Sequence, residues 1–273
     1  MKFARARPRR CPCAERETSI ATEFSGMRIV FNERVSKMKG MAISICAIAL
    51  LIASSPGLAL QPYSQNFEGL VQSDPDALAN DGWLVFGNVF DPGGGYLYGY
   101  GPYPAPNGTG AFCDIVTGEG GPDQGSQQLV VYSDYNNADH GNGNLIESNV
   151  YQEQTVDAAN VGERWHFEFQ AKLGNIAGSS TALAFIKTLD PNNGYAMTNF
   201  ITADMTSIPT TWSTYAIHID IDASLEGQLL QIGFSNTATN YEASGIFYDN
   251  IDFYSGPVAT EQTSWGNVKS LYR

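Results

Sequence analysis

WHFEFQA, residues 165–171, alternates large apolar side chains with polar ones. Successive side chains of an extended strand point to opposite faces, so Trp165, Phe167 and Phe169 share one face. This alternation is typical of a half-buried β-strand. The stretch TWSTYAIHIDI, residues 211–221, repeats the pattern with four apolar side chains on one face.

Further strand-like stretches occur along the chain, separated by turns rich in Gly, Asn, Asp and Pro, with no convincing helix-period segment. They are residues 83–89, 128–133, 147–156, 181–189, 229–236 and 245–254. Two of them, 128–133 and 181–189, are more continuously apolar, as in strands covered on both faces. Many short strands with polar turns predict an all-β fold, an antiparallel jelly-roll β-sandwich that forms a single domain over residues 60–255.

The charges are very unevenly distributed. Ten of the 15 Lys and Arg residues lie in residues 1–40, whereas 24 of the 28 Asp and Glu residues lie beyond residue 40. The chain beyond residue 60 therefore has a net charge of −19. Such a surface repels nucleic acid, anionic lipid and acidic polysaccharide, so nucleic-acid binding is excluded.

Residues 38–59 have the layout of a secretory signal peptide. Lys37 and Lys39 precede an apolar run, a Ser-Ser-Pro-Gly break follows, and cleavage is expected after Ala59. A membrane anchor is the alternative, but the run of about 13 apolar residues is shorter than the roughly 20 needed to span a bilayer. We expect a secreted or cell-surface bacterial protein without a membrane span in its mature form. Residues 1–37 are interpreted as a disordered extension from a mis-called translation start.

Residues 256–273 are interpreted as a linker followed by a short amphipathic tail. In TSWGNVKSLYR, residues 263–273, Ser264 occupies an N-cap position and the apolar side chains form one helical stripe. The tail resembles short C-terminal endings of some secreted bacterial proteins, which implies an envelope sorting or anchoring partner. A frayed tail is the open alternative.

GIFYDNIDFY, residues 245–254, places an acid among apolar side chains. Strand alternation puts Asp249 on the same face as Phe247, Ile251 and Phe253, and this face is expected to be the core. An unpaired buried carboxylate costs several kcal/mol. A bound cation would remove that cost, and oxygen ligands favour calcium. A carboxylate that accepts backbone N–H bonds in a turn or bulge explains the position equally well.

The order of these motifs resembles the galactose-binding-like jelly roll of bacterial carbohydrate-binding modules. The motifs are Asn66-Phe67-Glu68-Gly69, Gly82-Trp83, the stretches 165–172 and 211–215, and Phe247-Tyr248-Asp249-Asn250-Ile251. The resemblance implies a structural calcium that joins the opening strand to the closing one, with Glu68 and Asp249 as the matching ligands. The long insertion over residues 91–125 departs from the family pattern.

The insertion contains GGGYLYGYGPYPAP, residues 93–106. Tyr96, Tyr98 and Tyr100 recur every second residue, so in an extended chain their rings project to one side, and Tyr103 can join them. Aromatic rings stack on the apolar faces of sugars, which makes these four tyrosines a candidate glycan platform. Alternatively, they cap an open end of the sandwich with their hydroxyls in water.

Sequence signals for catalysis are few. The three histidines are far apart in sequence, and neither Gly-x-Ser-x-Gly nor His-Glu-x-x-His is present. We therefore predict a non-catalytic, calcium-stabilised protein that binds a neutral polysaccharide. The alternatives are a structural or adhesive surface protein anchored through its tail, and a jelly-roll glycan hydrolase.

Overall fold

The alternating stretches of the sequence form strands in the computed structural model, which describes residues 59–108 and 110–256. The strands form two six-stranded sheets, and their pairs are antiparallel. The predicted all-β jelly-roll sandwich is therefore confirmed. The predicted extension, the signal segment before Ala59 and the tail after Gly256 lie outside the described residues. No helix in the described part of the chain is long and apolar enough to cross a membrane.

Sheet 1 has the strand order β10-β7-β12-β5-β4, with β1 paired to β12. Its strands are β1 (Tyr63–Gln65), β4 (Cys113–Thr117), β5 (Gln127–Val131), β7 (Arg164–Leu173), β10 (Ser213–Asp220) and β12 (Ile246–Gly256).

Sheet 2 has the order β3-β2-β6-β11-β8-β9. Its strands are β2 (Leu84–Phe90), β3 (Tyr96–Pro104), β6 (Leu145–Thr155), β8 (Thr181–Asp190), β9 (Ala196–Asp204) and β11 (Leu229–Thr239). The chain crosses repeatedly between the sheets, so neither sheet is a separate unit.

Aromatic side chains fill the space between the sheets. Phe234 of β11 stacks on Tyr248 of β12, with ring centroids 3.6 Å apart, and also contacts Trp83, Phe167 and Phe169. All five are fully buried. Truncation of one such ring to alanine costs about 3–5 kcal/mol, so this cluster holds the two sheets together.

Strand β12 differs from the prediction in its alternation. Ile246 and Tyr248 face the core, whereas Phe247, expected in the core, is half-buried on the outer face. A β-bulge between Asp249 and Asp252 shifts the pairing, and Asn250 there has a φ of 45°. The bulge returns Ile251 and Phe253 to the core. Asp249 is nevertheless buried, as predicted, but it shares its side of the sheet with Phe247.

The helical segments are short. They are α1 (Ala77–Asn80) and 3-10 turns at Ala138–Asn142, Ala158–Asn160, Pro191–Asn193 and Ala223–Leu225. Asp157, Asp190 and Asp222 each accept a backbone N–H bond at the start of such a turn. Some of the acidic side chains that make the chain negatively charged therefore stabilise its turns through hydrogen bonds.

Candidate functional site

A cleft of ≈ 630 Å³ lies on the outer face of sheet 2. Alternation along the strands sends Val150 and Phe234 into the core and their neighbours in sequence outward. The cleft is lined by side chains from all six strands of the sheet and one turn: Phe86, Asn88, Pro102, Tyr151, Glu153, Lys187, Leu189, Tyr195, Met197, Leu229 and Gln231.

The floor of the cleft contains the ring of Tyr151, and the buried ring of Phe185 lies in the same row of the sheet. Tyr151 of β6, Gly233 of β11 and Phe185 of β8 are register partners in one row across the sheet. Tyr151 is 3% exposed and Phe185 is fully buried. A Cβ at Gly233 would lie 2.3 Å from the carbonyl oxygen of Val150, so the position cannot carry a side chain. The same Cβ would lie 2.6 Å from the Cβ of Tyr151, so the glycine lets Tyr151 pack closely against β11.

The walls of the cleft come from the edges of sheet 2. Phe86 and Pro102 form one wall, Tyr195 and Met197 form the other, and Phe200 lies further along β9 as the partner of Lys187. Tyr195, Met197 and Phe200 are 60%, 55% and 43% exposed, respectively. Exposed aromatic side chains beside a buried aromatic floor form an apolar surface that is open to a ligand.

Hydrogen bonds hold the polar side chains of the cleft in place. Gln231 donates to the carboxylate of Glu153 over 2.7 Å, and Asn88 and Asn149 donate to the carboxylate of Glu147 over 2.8 and 2.9 Å. These bonds fix amides and carboxylates at both ends of the floor. Such groups can exchange hydrogen bonds with ligand hydroxyls.

Lys187 brings a cation into this cleft. Its Nζ lies 4.6 Å from the ring centroid of Phe185 and 5.2 Å from that of Phe200. Burial lowers the pKa of Lys187, while the charge of Glu147 acts in the opposite direction. In the described part of the chain no carboxylate lies within ion-pair distance of Lys187.

The four predicted platform tyrosines all lie on edge strand β3, but they do not form one surface. An irregular register at Val89 and Phe90 skips Leu97, so Tyr96 pairs with Phe90 on the outer face. Tyr98 and Tyr100 instead pair with the inward-facing side of β2. The prediction that these three rings project to one side is therefore wrong, because the bulge interrupts the alternation.

The tyrosine hydroxyls on the inward side have partners. Tyr98 donates to Asp139 over 2.5 Å and Tyr100 donates to Asp134 over 2.7 Å. Tyr103 pairs with Val85 and is 55% exposed. Tyr96 alone approaches the cleft: a Cβ at Gly99 would lie 2.8 Å from both its hydroxyl and the Phe86 ring.

The predicted calcium ligands come from the start and the end of the sandwich. Asp249 is fully buried; its Oδ1 accepts the Asn250 N–H over 2.6 Å, and its Oδ2 has no partner. Burial raises the pKa of Asp249 to about 7, and the negative charge of Glu68 contributes to this rise. One oxygen of this carboxylate accepts a backbone N–H, as the hydrogen-bond alternative requires. The other oxygen has no partner, as the cation alternative requires.

Glu68 is exposed and already well bonded. Its carboxylate accepts the N–H groups of Ser126 and Gln127 over 2.7 and 2.6 Å and the Ser126 hydroxyl over 2.8 Å. These bonds lower the pKa of Glu68. A carboxylate has about four acceptor sites, so one stays available to a cation.

Some of the oxygen atoms near Asp249 are suitable ligands for a hard cation such as calcium. Gln128, which precedes the partner of Tyr248 on the neighbouring strand, also has a buried Oε1 without a partner. Residues 59–108 and 110–256 hold no group of three or more His, Cys, Asp or Glu side chains that could bind a metal. A cation here would therefore need Asp249, Glu68, the Gln128 amide and backbone carbonyls together.

The outer face of sheet 1 has its own groove, of ≈ 660 Å³, which includes Phe247 and Glu119. Its polar groups are paired: Lys172 forms an ion pair with Glu119 at 2.7 Å, and Trp212 donates to the Glu119 carbonyl over 3.0 Å. Lys172 also lies over the ring of Phe247.

The cleft on sheet 2 was missed by the sequence analysis. The stretch 181–189 was interpreted as covered on both faces, although Lys187 near its end was a signal of solvent contact. Gly233 between Ile232 and Phe234 was a second signal, because a glycine inside a strand often marks a close approach.

No protein-family model matches the chain, and no curated protein sequence matches it. Solved structures resemble it at low identity. The enzymatically active domain of bacteriophage CBA120 tailspike protein 4 is 15% identical, with a TM-score of 0.41, over 68% of this chain and 21% of that one. The CBM22-1 and GH10 modules of a Clostridium thermocellum endo-1,4-β-D-xylanase are 11% identical, with a TM-score of 0.38, over 72% and 29%.

The CBM22-1 xylan-binding domain of a Paenibacillus barcinonensis protein is 12% identical, with a TM-score of 0.39, over 74% of this chain and 97% of that one. The chain spans about a fifth of the phage structure and under a third of the xylanase structure. Carbohydrate-binding modules, which the sequence resembles, are thus among the similar structures. The fold assignment rests on the strand pairing of the chain itself.

Proposed function

We propose that this chain is a secreted, non-catalytic protein that binds a neutral polysaccharide in the cleft of sheet 2. The carrying observation is the combination of buried rings, exposed rings and fixed polar side chains in one cleft. Sugar rings have apolar C–H faces and polar edges, and this surface offers matching groups for both.

Charge supports a neutral ligand. The chain beyond residue 60 has a net charge of −19, and Glu147 and Glu153 stand at the ends of the cleft floor. A polyuronate chain would meet repulsion along most of its length. Lys187 contributes a single positive charge to the cleft, which does not offset this net negative charge.

The spacing of carboxylates supports binding without hydrolysis. Glu147 and Glu153 are six residues apart on β6, which is roughly 20 Å at about 3.3 Å per residue. Glycosidases hold their two carboxylates about 5–10 Å apart across the scissile bond. The two acids of β6 are too far apart for that chemistry.

We further propose that calcium stabilises the sandwich at Asp249. Asp249, Glu68 and Gln128 would hold it, and its positive charge would compensate the buried carboxylate. The support is the unpaired Oδ2 of Asp249 and the chemistry of the neighbouring oxygens.

Export and surface retention complete the proposal. The layout of residues 38–59 supports secretion, and residues 263–273 would contact an envelope sorting partner. Cell fractionation of a chain that lacks 263–273 tests this point, because release into the medium is expected only if the tail retains the protein.

Affinity gel electrophoresis tests glycan binding. Wheat arabinoxylan, barley mixed-linkage glucan and carob galactomannan supply three neutral backbones. At least one should retard the wild-type protein, and Phe86→Ala should reduce that retardation about tenfold in affinity. Phe247→Ala is the matched control, since both rings are half-buried on outer faces of opposite sheets.

Three outcomes would contradict parts of the proposal. Absence of retardation by all three polysaccharides would reject glycan binding of this class. Release of reducing ends during incubation would reject the non-catalytic assignment in favour of a hydrolase. Equal loss for Tyr98→Ala and Phe86→Ala would move the site towards the tyrosines of β3.

A further inference from the structure

His166 and His218 lie side by side on the outer face of sheet 1. They are register partners on the neighbouring strands β7 and β10, so their Cβ atoms are about 5 Å apart. Trp165 and Ile219, their neighbours in sequence, are buried in the core, which directs both imidazoles outward. His218 is exposed and His166 is half-buried. Strand pairing thus joins two histidines that are distant in sequence, at a place that solvent reaches.

The two rings are close enough to hold one metal ion. Their centroids are 5.9 Å apart and their planes are inclined by 43°. A metal ion about 2.0–2.1 Å from a ring nitrogen lies roughly 3.2 Å from the ring centroid, so one ion can join two rings up to roughly 6.4 Å apart. A tetrahedral angle at the ion needs about 5 Å between the centroids. Rotation of the exposed His218 side chain can supply this small approach.

Both imidazoles are available as ligands. Neither ring has a hydrogen-bond or ion-pair partner among the residues that the structure describes. On its other side, His166 stacks on Tyr254 of β12, with centroids 5.3 Å apart and planes inclined by 20°. A Cβ at Gly256 would lie 3.3 Å from the Cδ2 and Nε2 atoms of His166. Strand β12 therefore supports the His166 ring, while His218 stands on the side of β10.

Acidic side chains outnumber basic ones around the two histidines. The adjoining row on one side contains the partners Arg164 and Asp220, and the row on the other side contains the partners Glu168 and Asp252. Arg164 is the one basic side chain of these four, and its charge is compensated by two hydrogen bonds to Asp220, of 2.6 and 2.7 Å. Glu168 and Asp252 have no ion-pair partner in the described part of the chain. Their negative charges favour a cation at the imidazoles.

We propose that His166 and His218 bind one divalent transition-metal ion of the class Zn²⁺, Ni²⁺ or Cu²⁺. Imidazole is a preferred ligand of these ions, whereas calcium prefers oxygen ligands. Within residues 59–108 and 110–256 there is no group of three or more His, Cys, Asp or Glu side chains that could hold a metal, so water completes the coordination shell. The ion joins β10, at the end of the sheet, to β7. This site is independent of the polysaccharide cleft and of the calcium proposed at Asp249.

Calorimetric titration with NiCl₂ tests the site. Every variant is made in the same full chain, so the cysteines before residue 60 contribute equally to all of them. His218→Asn and His166→Asn should each weaken Ni²⁺ binding about tenfold or more, because the second ring of a chelate binds intramolecularly. His218 is exposed, so His218→Asn should have the melting temperature of the wild-type protein when no metal is present.

The stability of the folded protein gives a second readout. Saturating Ni²⁺ should raise the melting temperature of the wild-type protein, because the ion binds the folded pair. The same concentration should leave the melting temperature of His218→Asn nearly unchanged. Differential scanning fluorimetry measures both shifts.

His140 and Asp249 supply the controls. His140 is fully buried and contacts Tyr135 and Tyr241 far from this pair in the strand order, so His140→Gln should keep the Ni²⁺ affinity. Asp249→Asn should also keep the Ni²⁺ affinity although it loses the calcium response. His218→Asn should show the reverse, with a full calcium response and weakened Ni²⁺ binding.

Two results would overturn the proposal. Equal Ni²⁺ affinity of the wild-type protein and His218→Asn would assign the ion to other ligands. A wild-type protein that is not saturated at about 1 mM Ni²⁺ would show that the pair does not act as a chelate. Both results would leave the proposed polysaccharide binding untouched, since the cleft lies on the opposite sheet.

Discussion

Both sheets bury polar atoms that lack partners, but the two groups of atoms differ in chemistry. Sheet 1 buries a carboxylate oxygen of Asp249 and the amide oxygen of Gln128, whose side chain lies near Asp249, so both atoms are acceptors and one is charged. Sheet 2 buries the amide oxygen of Asn149 and the hydroxyl of its register partner Ser235. A charged acceptor suits a cation, whereas a neutral amide oxygen and a hydroxyl have no charge that a cation would compensate.

The two outer faces also differ in how their remaining polar groups are used. On sheet 1, Lys172, Glu119 and Trp212 satisfy one another. On sheet 2, Lys187 has no carboxylate partner in the described part of the chain. We place the proposed ligand in the cleft of sheet 2, because Lys187 there lacks a carboxylate partner among the described residues and the side chains of Tyr195 and Met197 are exposed.

The largest expected effect concerns calcium. Free calcium at one hundred times its Kd adds about 2.7 kcal/mol, so EDTA should lower the melting temperature of the wild-type protein by about 5–10 °C. Asp249→Asn should abolish the difference between calcium and EDTA, because the charged ligand is lost. Differential scanning fluorimetry measures both.

Asp252→Asn is the control for this comparison, since Asp252 is an exposed acid of the same strand. It should keep the full calcium response. In EDTA at pH 8, Asp249→Asn should be at least as stable as the wild-type protein, because the folded wild type must then hold an uncompensated buried charge. An EDTA-insensitive wild type would reject the cation and leave the backbone hydrogen bond as the explanation.

A smaller effect is expected at the wall of the cleft. Tyr195 is 60% exposed, so Tyr195→Ala should not change folding but should lower polysaccharide affinity about tenfold through lost stacking. Tyr241 is 62% exposed, packs on His140 and lies outside the cleft. Tyr241→Ala should bind like the wild-type protein in the same titration, and equal losses for the two variants would remove the distinction between cleft and remaining surface.

The smallest effect concerns another buried atom without a hydrogen-bond partner, the Nδ1 of His140. Burial lowers the pKa of His140, against the opposite effect of the charges of Asp134 and Glu242. Its folded-state pKa is thus below the unfolded value of about 6.5, so the unfolded state takes up more protons as the pH falls. The stability that His140 contributes is present above pH 6.5 and is lost below it.

Asp249 has the opposite sign in the same pH range, since its raised pKa favours the folded state as the pH falls. Urea unfolding is therefore best measured in the Asp249→Asn background, where stability should fall from pH 7.5 to 5.5. Adding His140→Gln should flatten that part of the profile. A profile that His140→Gln leaves unchanged would show that the ring is protonated without penalty.

The sequence predicted the fold well because alternation is a local property. Residues 165–171 and 211–221 appear as neighbouring strands β7 and β10 with the expected faces. Alternation failed at two bulges, at Asn250 in β12 and at Leu97 in β3, since one extra residue reverses every face that follows.

The candidate site was harder to predict, because its parts come from distant segments. Tyr151, Gly233 and Phe185 become neighbours only through the pairing of β6, β11 and β8. Burial of Asp249 was predicted correctly from a face assignment that the bulge made wrong. The acid is buried on its actual side because the loop before β5 covers it, with Gln124 bonded to Gln170 and Asn250 bonded to the Asp123 carbonyl.

The walls of the cleft belong mostly to the margins of sheet 2, whereas the floor belongs to its centre. β3 and β9 each have a sheet neighbour on one side, so residues such as Pro102 and Met197 can be exchanged without repacking the interior. Substitutions on β3 and β9 can therefore change the width and shape of the cleft among related proteins, while the residues of its floor stay the same.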